Sequence, residues 1–242
     1  MIYKVTSKDN RRVVEAAKLK AIKYQKDSGL YLVEGFHLLE MAVKQNRVDY
    51  LFAINPIENQ NVDQYIVNEC IIRKLAASKN PQGVVAVCKI AKPLALSSLR
   101  LLYLDDISDP GNMGTILRTA LAFGYRDIIL SPNCVSPYND KAISASQGAI
   151  FALNLVEMAH EEIISLHNQG YKLIVTSLKD SVDLSNLTKK DKYVVIVGNE
   201  SRGVNSRLLE ASDDKVKINI SGIDSLNVAV ATGIVLYELN RK

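Results

Sequence analysis

Short apolar runs alternate along the chain with longer stretches in which apolar residues recur every three or four positions. The clearest run, residues 193–197 (Tyr-Val-Val-Ile-Val), has no charged position on either face. Such runs are typical of parallel strands that helices cover on both sides, and the longer period indicates amphipathic helices. The alternation predicts an α/β fold with a parallel sheet in the second half of the chain.

In the second half, strand and helix patterns follow one another with little interruption. The predicted strands cover residues 101–104, 127–130, 152–156, 172–176, 193–197 and 216–220. The predicted helices cover residues 112–123, 141–148, 163–168, 204–211 and 228–239.

The first half shows a looser alternation that predicts a smaller α/β domain. Helices are predicted over residues 10–26, with Asn10 or Asp9 as the N-cap, and over 36–46 and 63–70. Strands are predicted over 30–33, 50–54 and 83–88, and residues 71–76 fit either a strand or a helix. Residues 93–98 have a proline and no clear period, so we interpret them as a linker between domains over 1–92 and 99–242.

The composition is that of an ordinary globular protein, with 48% hydrophobic and 23% charged residues. The net charge is +4, but residues 1–26 alone hold eight Lys or Arg residues against two acids, an excess of six. Basic charge is therefore concentrated at one end of the chain. It is either the solvated face of a surface helix or a contact surface for an anionic partner.

The cysteines Cys70, Cys88 and Cys134 form no CxxC pair, and the histidines share no ligand spacing with them. We therefore expect reduced thiols and no metal site. No apolar run reaches the roughly 18 residues that a membrane span needs. Residues 1–8 lack the apolar core of a signal peptide, so we expect a cytoplasmic protein without membrane contact.

Three strand-to-helix loops of the second half are rich in Gly, Asn and Ser. They cover residues 105–114, 198–203 and 218–227. Ligands of open parallel sheets bind beyond the carboxyl ends of the strands, where such loops converge. One loop of this composition is weak support for a site, but three on one sheet edge indicate one.

In the first loop, Gly111 and Gly114 permit close backbone approach, and Asn112 is placed to cap the following helix. Arg118 lies six residues later and must reach back to meet a ligand at the helix start. A capped helix with a surface arginine explains the same residues equally well.

In the second loop, Gly198 and Gly203 flank Glu200 directly after a buried strand, which suits a small polar ligand held by backbone groups. The loop is neither a phosphate-binding loop with Gly-Lys-Ser/Thr nor a GxGxxG fingerprint. The alternative interpretation of Glu200 is a favourable charge at a helix N-terminus.

In the third loop, Ser225 is the predicted N-cap of the last helix, and Asn227 lies in its first turn. That helix is almost wholly apolar for two turns. It is therefore either buried on all sides or packed against another subunit.

The three loops together resemble the SpoU (TrmH) family of SPOUT methyltransferases, which are RNA ribose 2′-O-methyltransferases. Ser201 and Asn219 replace the family's usual Gly and Pro, and the spacing from Gly222 to Ser225 is about one residue short. These departures leave the class intact and bear on the cofactor contacts. The motifs, in the family's order, are Asn112-Met113-Gly114 with Arg118, Gly198-Asn199-Glu200 with Gly203, and Ser225-Leu226-Asn227-Val228.

The first half resembles the substrate-binding domain of these enzymes, which is similar to RNA-binding ribosomal proteins of the large subunit. The matching residues are Thr6, Ser7, Asn10 and the run 31–35 (Tyr-Leu-Val-Glu-Gly). Together with the basic charge of residues 1–26, this resemblance favours RNA binding over a merely solvated face. The predicted RNA-binding residues are Arg11, Arg12, Lys18 and Lys20.

The resemblance implies S-adenosyl-L-methionine as the cofactor, a deep trefoil knot around the second and third loops, and a homodimer with the last helix in its interface. It places the conventional catalytic positions at Asn112, Arg118, Glu200, Ser225 and Asn227. The expected cofactor-binding residues are Thr176, Ser177, Gly198, Asn199, Glu200, Ile218, Ile220 and Leu226.

In the implied reaction, a ribose 2′-hydroxyl loses its proton as it attacks the cofactor's methyl group. A guanidinium stays protonated, so we interpret Arg118 as a clamp on the target phosphate, with Asn227 or Ser225 orienting the proton. The whole N-terminal domain favours ribosomal over transfer RNA as the substrate. The alternatives are a tRNA-modifying enzyme, an inactive RNA-binding homologue and a structural dimerisation protein.

Overall fold

The computed structural model describes residues 1–58, 61–188 and 190–241. The chain divides into two compact units. The first unit consists of Met1–Lys92 and Tyr138–Phe151, and the second consists of Pro93–Pro137 and Ala152–Lys242.

Residues 138–151 group with the first unit, whereas the sequence-based ranges put them in the second domain. The Tyr138 ring centroid lies 4.8 Å from that of Tyr31. The side-chain amide of Gln25 donates to the Tyr138 carbonyl at 3.2 Å, and a Cβ added at Gly148 would overlap the Met41 side chain. The segment is therefore packed within the first unit.

The described part of residues 1–92, which is 1–58 and 61–92, forms four helices and five strands. The strands are β1 (Ile2–Lys4), β2 (Leu30–Glu34), β3 (Val48–Ala53), β4 (Asp63–Ile66) and β5 (Val84–Lys89). The helices are α1 (Arg11–Lys18), α2 (Ile22–Ser28), α3 (Phe36–Lys44) and α4 (Glu69–Leu75).

The strands of the first unit form one mixed sheet in the order β1-β4-β3-β5-β2. β4 pairs in parallel with β1 and β3, whereas β5 is antiparallel to β3 and β2. α1 and α4 pack on the same core as the sheet, around the fully buried Val13, Phe52, Ile71 and Val85. The small α/β domain predicted for this half is therefore present.

Two predicted elements of the first half are wrong. The helix predicted over residues 10–26 is two helices, because the Leu19 carbonyl accepts from the Gln25 side chain at 2.8 Å and Ala21 is extended. The helix predicted over residues 63–70 is instead strand β4 followed by α4. The reason is that β4 pairs with strands on both sides, and Asn68 caps α4 through the Ile71 N–H.

The second half supplies the remaining strands and helices. The strands are β6 (Arg100–Leu104), β7 (Asp127–Leu130), β8 (Asn154–Glu157), β9 (Lys172–Thr176), β10 (Val182–Asp183), β11 (Tyr193–Val197) and β12 (Asp214–Lys217). The helices are α5 (Pro110–Ala122), α6 (Asp140–Ser146), α7 (His160–Ser165), α8 (Ser206–Ala211) and α9 (Val228–Arg241), with α6 belonging to the first unit.

The strands of the second unit form one parallel sheet in the order β10-β12-β9-β11-β6-β7-β8. Every pairing in it is parallel, which confirms the predicted α/β fold. β6, β11 and β9 are neighbours, and β12 lies beside β9. The loops that follow these strands therefore leave the same edge of the sheet.

Residues 93–98 lie along the second unit. The Asn154 side chain exchanges two hydrogen bonds with the Leu94 backbone, at 2.8 and 3.1 Å. The Asp127 carboxylate accepts from the backbone N–H groups of Ser97 and Ser98. The segment predicted as a linker is thus held by specific contacts. Among the described helices, none has the length and apolar character to cross a membrane.

Candidate functional site

The start of α5 is capped by Asp109, whose carboxylate accepts from the Asn112 backbone N–H at 2.7 Å. The prediction that Asn112 caps this helix is therefore wrong. Asp is a favoured N-cap and Pro110 suits the first helical position, so the helix begins two residues earlier than expected. The side chain of Asn112 is left available for contacts outside its own helix.

The start of α9 is capped by Asn227 rather than by Ser225, so this prediction is also wrong. The Asn227 side-chain oxygen accepts from the backbone N–H groups of Ala229 at 2.9 Å and Val230 at 3.3 Å. Asn227 directly precedes the first helical residue, where a side-chain oxygen reaches these N–H groups.

Ser225 lies in an exposed part of the third loop. It lines an open depression together with Gly222, Ile223 and Asp224. Its hydroxyl makes no hydrogen bond with any residue that the structure describes. The hydroxyl is therefore free to bind a ligand.

A chain of side-chain hydrogen bonds joins the three loops. Asn227 Nδ2 donates to Asn112 Oδ1 at 2.9 Å, and Asn112 Nδ2 donates to Glu200 Oε1 at 3.0 Å. The direction of the chain is fixed at both ends, because a carboxylate only accepts and the Asn227 oxygen serves the N-terminus of α9. Three of the five predicted catalytic residues are thus in direct contact.

Glu200 is surrounded by hydrogen-bond donors. Its Oε2 accepts from the Ser108 hydroxyl at 2.8 Å and the Ser108 N–H at 3.3 Å, and its Oε1 also accepts from the Asp109 N–H at 3.3 Å. Burial alone would raise the pKa of this carboxyl, but the hydrogen bonds from Asn112, Ser108 and Asp109 outweigh it and lower the pKa to about 2. Glu200 is therefore an ionised anchor and a poor proton acceptor.

The second loop is a tight turn that presents Glu200 at its tip. Asn199 and Gly203 exchange two backbone hydrogen bonds, at 3.1 and 2.9 Å. A Cβ added at Gly198 would overlap the backbone of Gly203 and Val204. Close backbone approach, as expected from the sequence, is the reason for glycine at position 198.

Asp106 connects the first loop to two others and has a left-handed backbone, with φ 56°. Its backbone carbonyl accepts from Asn199 Nδ2 at 2.8 Å. Its carboxylate accepts from the Ser131 hydroxyl at 2.6 Å and pairs with Arg202 at 3.3 Å. Non-glycine residues adopt this conformation at a cost, and such strain is often found at functional sites.

Asp105 lies beneath the same loop and is almost fully buried. Its two carboxylate oxygens accept from His160 Nε2 at 2.7 Å and from the Asn205 backbone N–H at 2.7 Å. Ligand atoms of Asp105, Asp106 and His160 lie within 4.8 Å of one another. Each of these groups already has a protein partner, so they serve first to brace the loops.

Arg118 is exposed on α5 and makes no hydrogen bond or ion pair with any described residue. The five predicted catalytic residues therefore fall into two sets. Asn112, Glu200 and Asn227 hold one another, whereas Arg118 and Ser225 have free polar groups.

The predicted cofactor-binding residues lie at or after the carboxyl ends of β9, β11 and β12. Thr176 donates its hydroxyl to the Ile196 carbonyl at 3.3 Å, and the Ser177 hydroxyl closes a local turn with Lys179. The Asn199 side chain caps the second loop through the N–H groups of Ser201 and Arg202. The remaining side chains at these loops, Ile218, Ile220 and Leu226, are half-buried.

The predicted RNA-binding residues of the first unit differ in the contacts that their side chains make within the protein. Arg11 pairs with Glu15 at 2.7 Å. The Arg12 guanidinium lies 5.2 Å from the centre of the Tyr50 ring. Lys20 donates to the Ala76 carbonyl at 2.7 Å, and the Lys18 ammonium lies over the Tyr24 ring.

Sequence reasoning missed Ser108, Asp109 and Asp106 as parts of the site. Asp109 followed by Pro110 is a helix-start signal that was available in the sequence. Ser108 and Asp106 gave no such signal, because their roles depend on Glu200 and Ser131, which are distant in the chain.

Two models of known protein families match the chain. Residues 100–237 match the SpoU rRNA Methylase family, and residues 10–86 match the MRM3-like substrate binding domain.

Similar proteins match along almost the whole chain. A tRNA/rRNA methyltransferase of Synechocystis sp., named as uncharacterized, is 32% identical and covers 100% of this chain and 94% of that protein. The 23S rRNA (guanosine(2553)-2′-O)-methyltransferase RlmP of Bacillus subtilis is 29% identical over 97% of this chain and 98% of its own. The structure of an AdoMet-bound rRNA methyltransferase from Sinorhizobium meliloti has a TM-score of 0.89 at 28% identity, covering 99% of this chain and 98% of that one. With more than half of the chain matching the family, this protein belongs to the SpoU rRNA methylase family.

Proposed function

We propose that this protein is an S-adenosylmethionine-dependent RNA methyltransferase that methylates a ribose 2′-hydroxyl in large-subunit ribosomal RNA. One observation carries the proposal. The hydrogen-bonded chain of Asn227, Asn112 and Glu200 joins three loops at one sheet edge, while Arg118 and Ser225 keep free polar groups.

The chemistry of the loops fits the proposed cofactor. Half-buried apolar side chains (Ile218, Ile220, Leu226) flank loops rich in exposed backbone groups. Apolar surface suits an adenine ring, and backbone N–H and C=O groups suit the polar edges of a nucleoside and an amino acid. We infer that these residues, with Thr176, Ser177, Gly198 and Asn199, hold the cofactor.

When bound, S-adenosylmethionine supplies an electrophilic methyl group. The protein's residues must align the ribose hydroxyl and accommodate its proton. Arg118 would clamp a phosphate of the target nucleotide, because a guanidinium offers two parallel donors to an anion. The positive charge also favours the ionised form of a nearby hydroxyl.

Asn112, Asn227 and Glu200 act in this proposal as positioning residues. The anionic end of the chain lies at Glu200, whose low pKa keeps it ionised at neutral pH. This fixes the orientation of both amides, so the start of α5, which carries Arg118, and the start of α9 stay aligned. Asn227 and Ser225 are the two residues expected to orient the substrate proton. Ser225 is the better placed of the two, because its hydroxyl makes no hydrogen bond with the described residues.

Ribosomal RNA as substrate is supported by relatives that match both halves of the chain. RlmP, a 23S rRNA enzyme, covers 97% of this chain, and the first half matches a substrate-binding domain. We assign RNA binding to the first unit, whose basic charge would neutralise phosphates.

The test is methyl transfer in vitro from labelled S-adenosylmethionine to 23S rRNA and to bulk tRNA, both from cells that lack the gene. We expect labelling of 23S rRNA at one ribose, read by mapping of alkali-resistant positions. Calorimetry with S-adenosylmethionine alone separates the alternatives. An inactive homologue would bind RNA but would not bind S-adenosylmethionine. A tRNA-modifying enzyme would bind S-adenosylmethionine and would label only tRNA.

A homodimer belongs to the same proposal. Val230, Ile234 and Tyr237 form an exposed apolar stripe on α9, at a helical spacing. Exposed apolar stripes of this kind mark protein contacts. Sedimentation should give a dimer, and Ile234→Glu should give a monomer. A monomeric native protein would contradict the proposal.

Two further expectations stay predictions, namely the cytoplasmic location and the trefoil knot. Cell fractionation tests the cytoplasmic location: the protein should be recovered in the fraction that contains the ribosomes. The knot predicts slow refolding of the second unit after full unfolding. Refolding with a single fast phase would argue against it.

A further inference from the structure

Helix α2 of the first unit has an unusual burial pattern. Gln25 is its only buried residue and is 5% exposed. Its side-chain amide donates to the carbonyls of Leu19 and Tyr138. A surface helix ordinarily buries an apolar stripe, so burial of apolar side chains does not explain this helix.

The exposed face of α2 combines an aromatic ring with lysines. Tyr24 is 43% exposed, and the Lys18 ammonium lies 5.7 Å from its ring centre. Lys23 and Lys26, one residue before and two residues after Tyr24 in the helix, are exposed and make no ion pair or hydrogen bond with the residues described. Asp27 is the single acidic residue of this helix.

The basic residues at the start of α1 are less available. Arg11 is paired with Glu15, and Arg12 lies over Tyr50. Lys20 is committed to the Ala76 carbonyl, where it stabilises the end of α4. The accessible positive charge of this region is therefore concentrated on α2 and on Lys18, whose ammonium lies over Tyr24.

We propose that Lys18, Lys23, Tyr24 and Lys26, here called the α2 surface, bind an unpaired stretch of RNA with one base stacked on Tyr24. An aromatic ring offers a stacking partner to a splayed base, whereas a base inside a duplex has both faces covered. The lysines neutralise the flanking phosphates. The inference rests on the proposed function for its RNA substrate and adds which part of the RNA is bound and by which residues.

Fluorescence anisotropy of the full-length protein tests the role of Tyr24. The probes are a labelled oligoadenylate and a labelled RNA duplex of the same length. Tyr24→Ala should weaken binding of the oligoadenylate by about tenfold and leave duplex binding unchanged. Tyr24→Phe keeps the ring and should bind both probes like the native protein.

The salt dependence of oligoadenylate affinity distinguishes the contribution of the lysines from that of the Tyr24 ring. Lys23→Ala and Lys26→Ala should each lower the slope of log affinity against log salt by about 0.7 for the oligoadenylate. Tyr24→Ala should leave that slope unchanged. Lys44→Ala is the matched control, because Lys44 is also exposed in this unit but is paired with Glu40 at 2.7 Å.

Native affinity of Tyr24→Ala for the oligoadenylate would overturn the inference, as would equal weakening of both probes. Unchanged salt slopes for both lysine variants would overturn it too. Methyl transfer by the native protein is measured in parallel. If the native protein methylates rRNA while Tyr24→Ala binds normally, only this inference fails; if it methylates nothing, the proposed function fails by itself.

Discussion

The Glu200 carboxylate accepts hydrogen bonds from Asn112, Ser108 and Asp109. Replacement by Gln puts an amide N–H₂ where Ser108 or Asp109 now donates, at the same side-chain volume. We expect Glu200→Gln to lower methyl transfer by at least about tenfold, since loss of a charge-assisted hydrogen bond costs about 1.5–3 kcal/mol. Steady-state kinetics with native and variant protein measure this.

The same carboxylate predicts a pH dependence of stability. Its pKa falls from 4.5 to about 2 on folding, so its contribution is present above pH 4.5 and is lost as the pH falls toward 2. The difference in free energy of unfolding between native protein and Glu200→Gln should therefore shrink with acid. Denaturant unfolding at several pH values measures it, and a constant difference would refute the ionised anchor.

Arg118 is the complementary case, a charged side chain without a partner among the described residues. Lysine keeps the charge but cannot make two parallel hydrogen bonds to a phosphate. Arg118→Lys should lower kcat/KM for RNA by roughly tenfold or more and leave S-adenosylmethionine affinity unchanged. Arg126→Lys, an exposed arginine just before β7, is the control and should behave like the native protein. Full activity of Arg118→Lys would show that no bidentate clamp exists.

Among the elements, the interior strands β7, β9 and β11 of the parallel sheet were the most predictable. The predicted bounds 127–130, 172–176 and 193–197 are those observed, because strands covered on both faces carry apolar runs, here residues 128–130, 173–175 and 193–197. The division of α1 from α2 was not predictable, since it depends on a side chain, that of Gln25, bonding to the Leu19 carbonyl. β4 was missed because its pairing with β1 and β3 is non-local.

Gly198 begins the loop after β11, where its Cα lies close to the backbone of Gly203 and Val204. Gly198→Ala forces a Cβ against the backbone of Gly203 and Val204, which can yield only by opening the turn that presents Glu200. We expect a loss of about 1–3 kcal/mol in unfolding free energy and a large loss of activity. Gly233→Ala in α9 is the matched control: its Cβ would meet only Thr119, at 3.5 Å. Helix propensity should make that variant slightly more stable.

At the scale of the whole molecule, the types of the site residues were predictable but their pairings were not. The three motifs identified Asn112, Glu200 and Asn227, yet these residues contact one another across 88 and 115 positions of the chain. Helix caps were misassigned for a similar reason. Two or three neighbouring polar residues compete for each cap, and the sequence does not show which of them a distant loop engages.

Helix α6 belongs to the first unit, although the residues before and after its segment belong to the second. The chain leaves the parallel sheet after β7, forms α6 within the first unit and returns as β8. A fragment of residues 93–242 therefore deprives α6 and its flanking residues of Tyr31, Gln25 and Met41. We expect hydrogen exchange to lose protection over residues 140–146 in this fragment, while strand 193–197 stays protected by its neighbours β6 and β9.

The full-length protein is the reference for this exchange experiment, and Tyr31→Ala is the matched point variant. It removes the ring that packs against Tyr138 but keeps the rest of the first unit. Protection of residues 140–146 should fall less in this variant than in the fragment, because Gln25 and Met41 remain. If the fragment protected these residues as well as the full chain does, α6 would be stable on the second unit alone, and the sequence-based domain range of 99–242 would be the better description of how the protein is built.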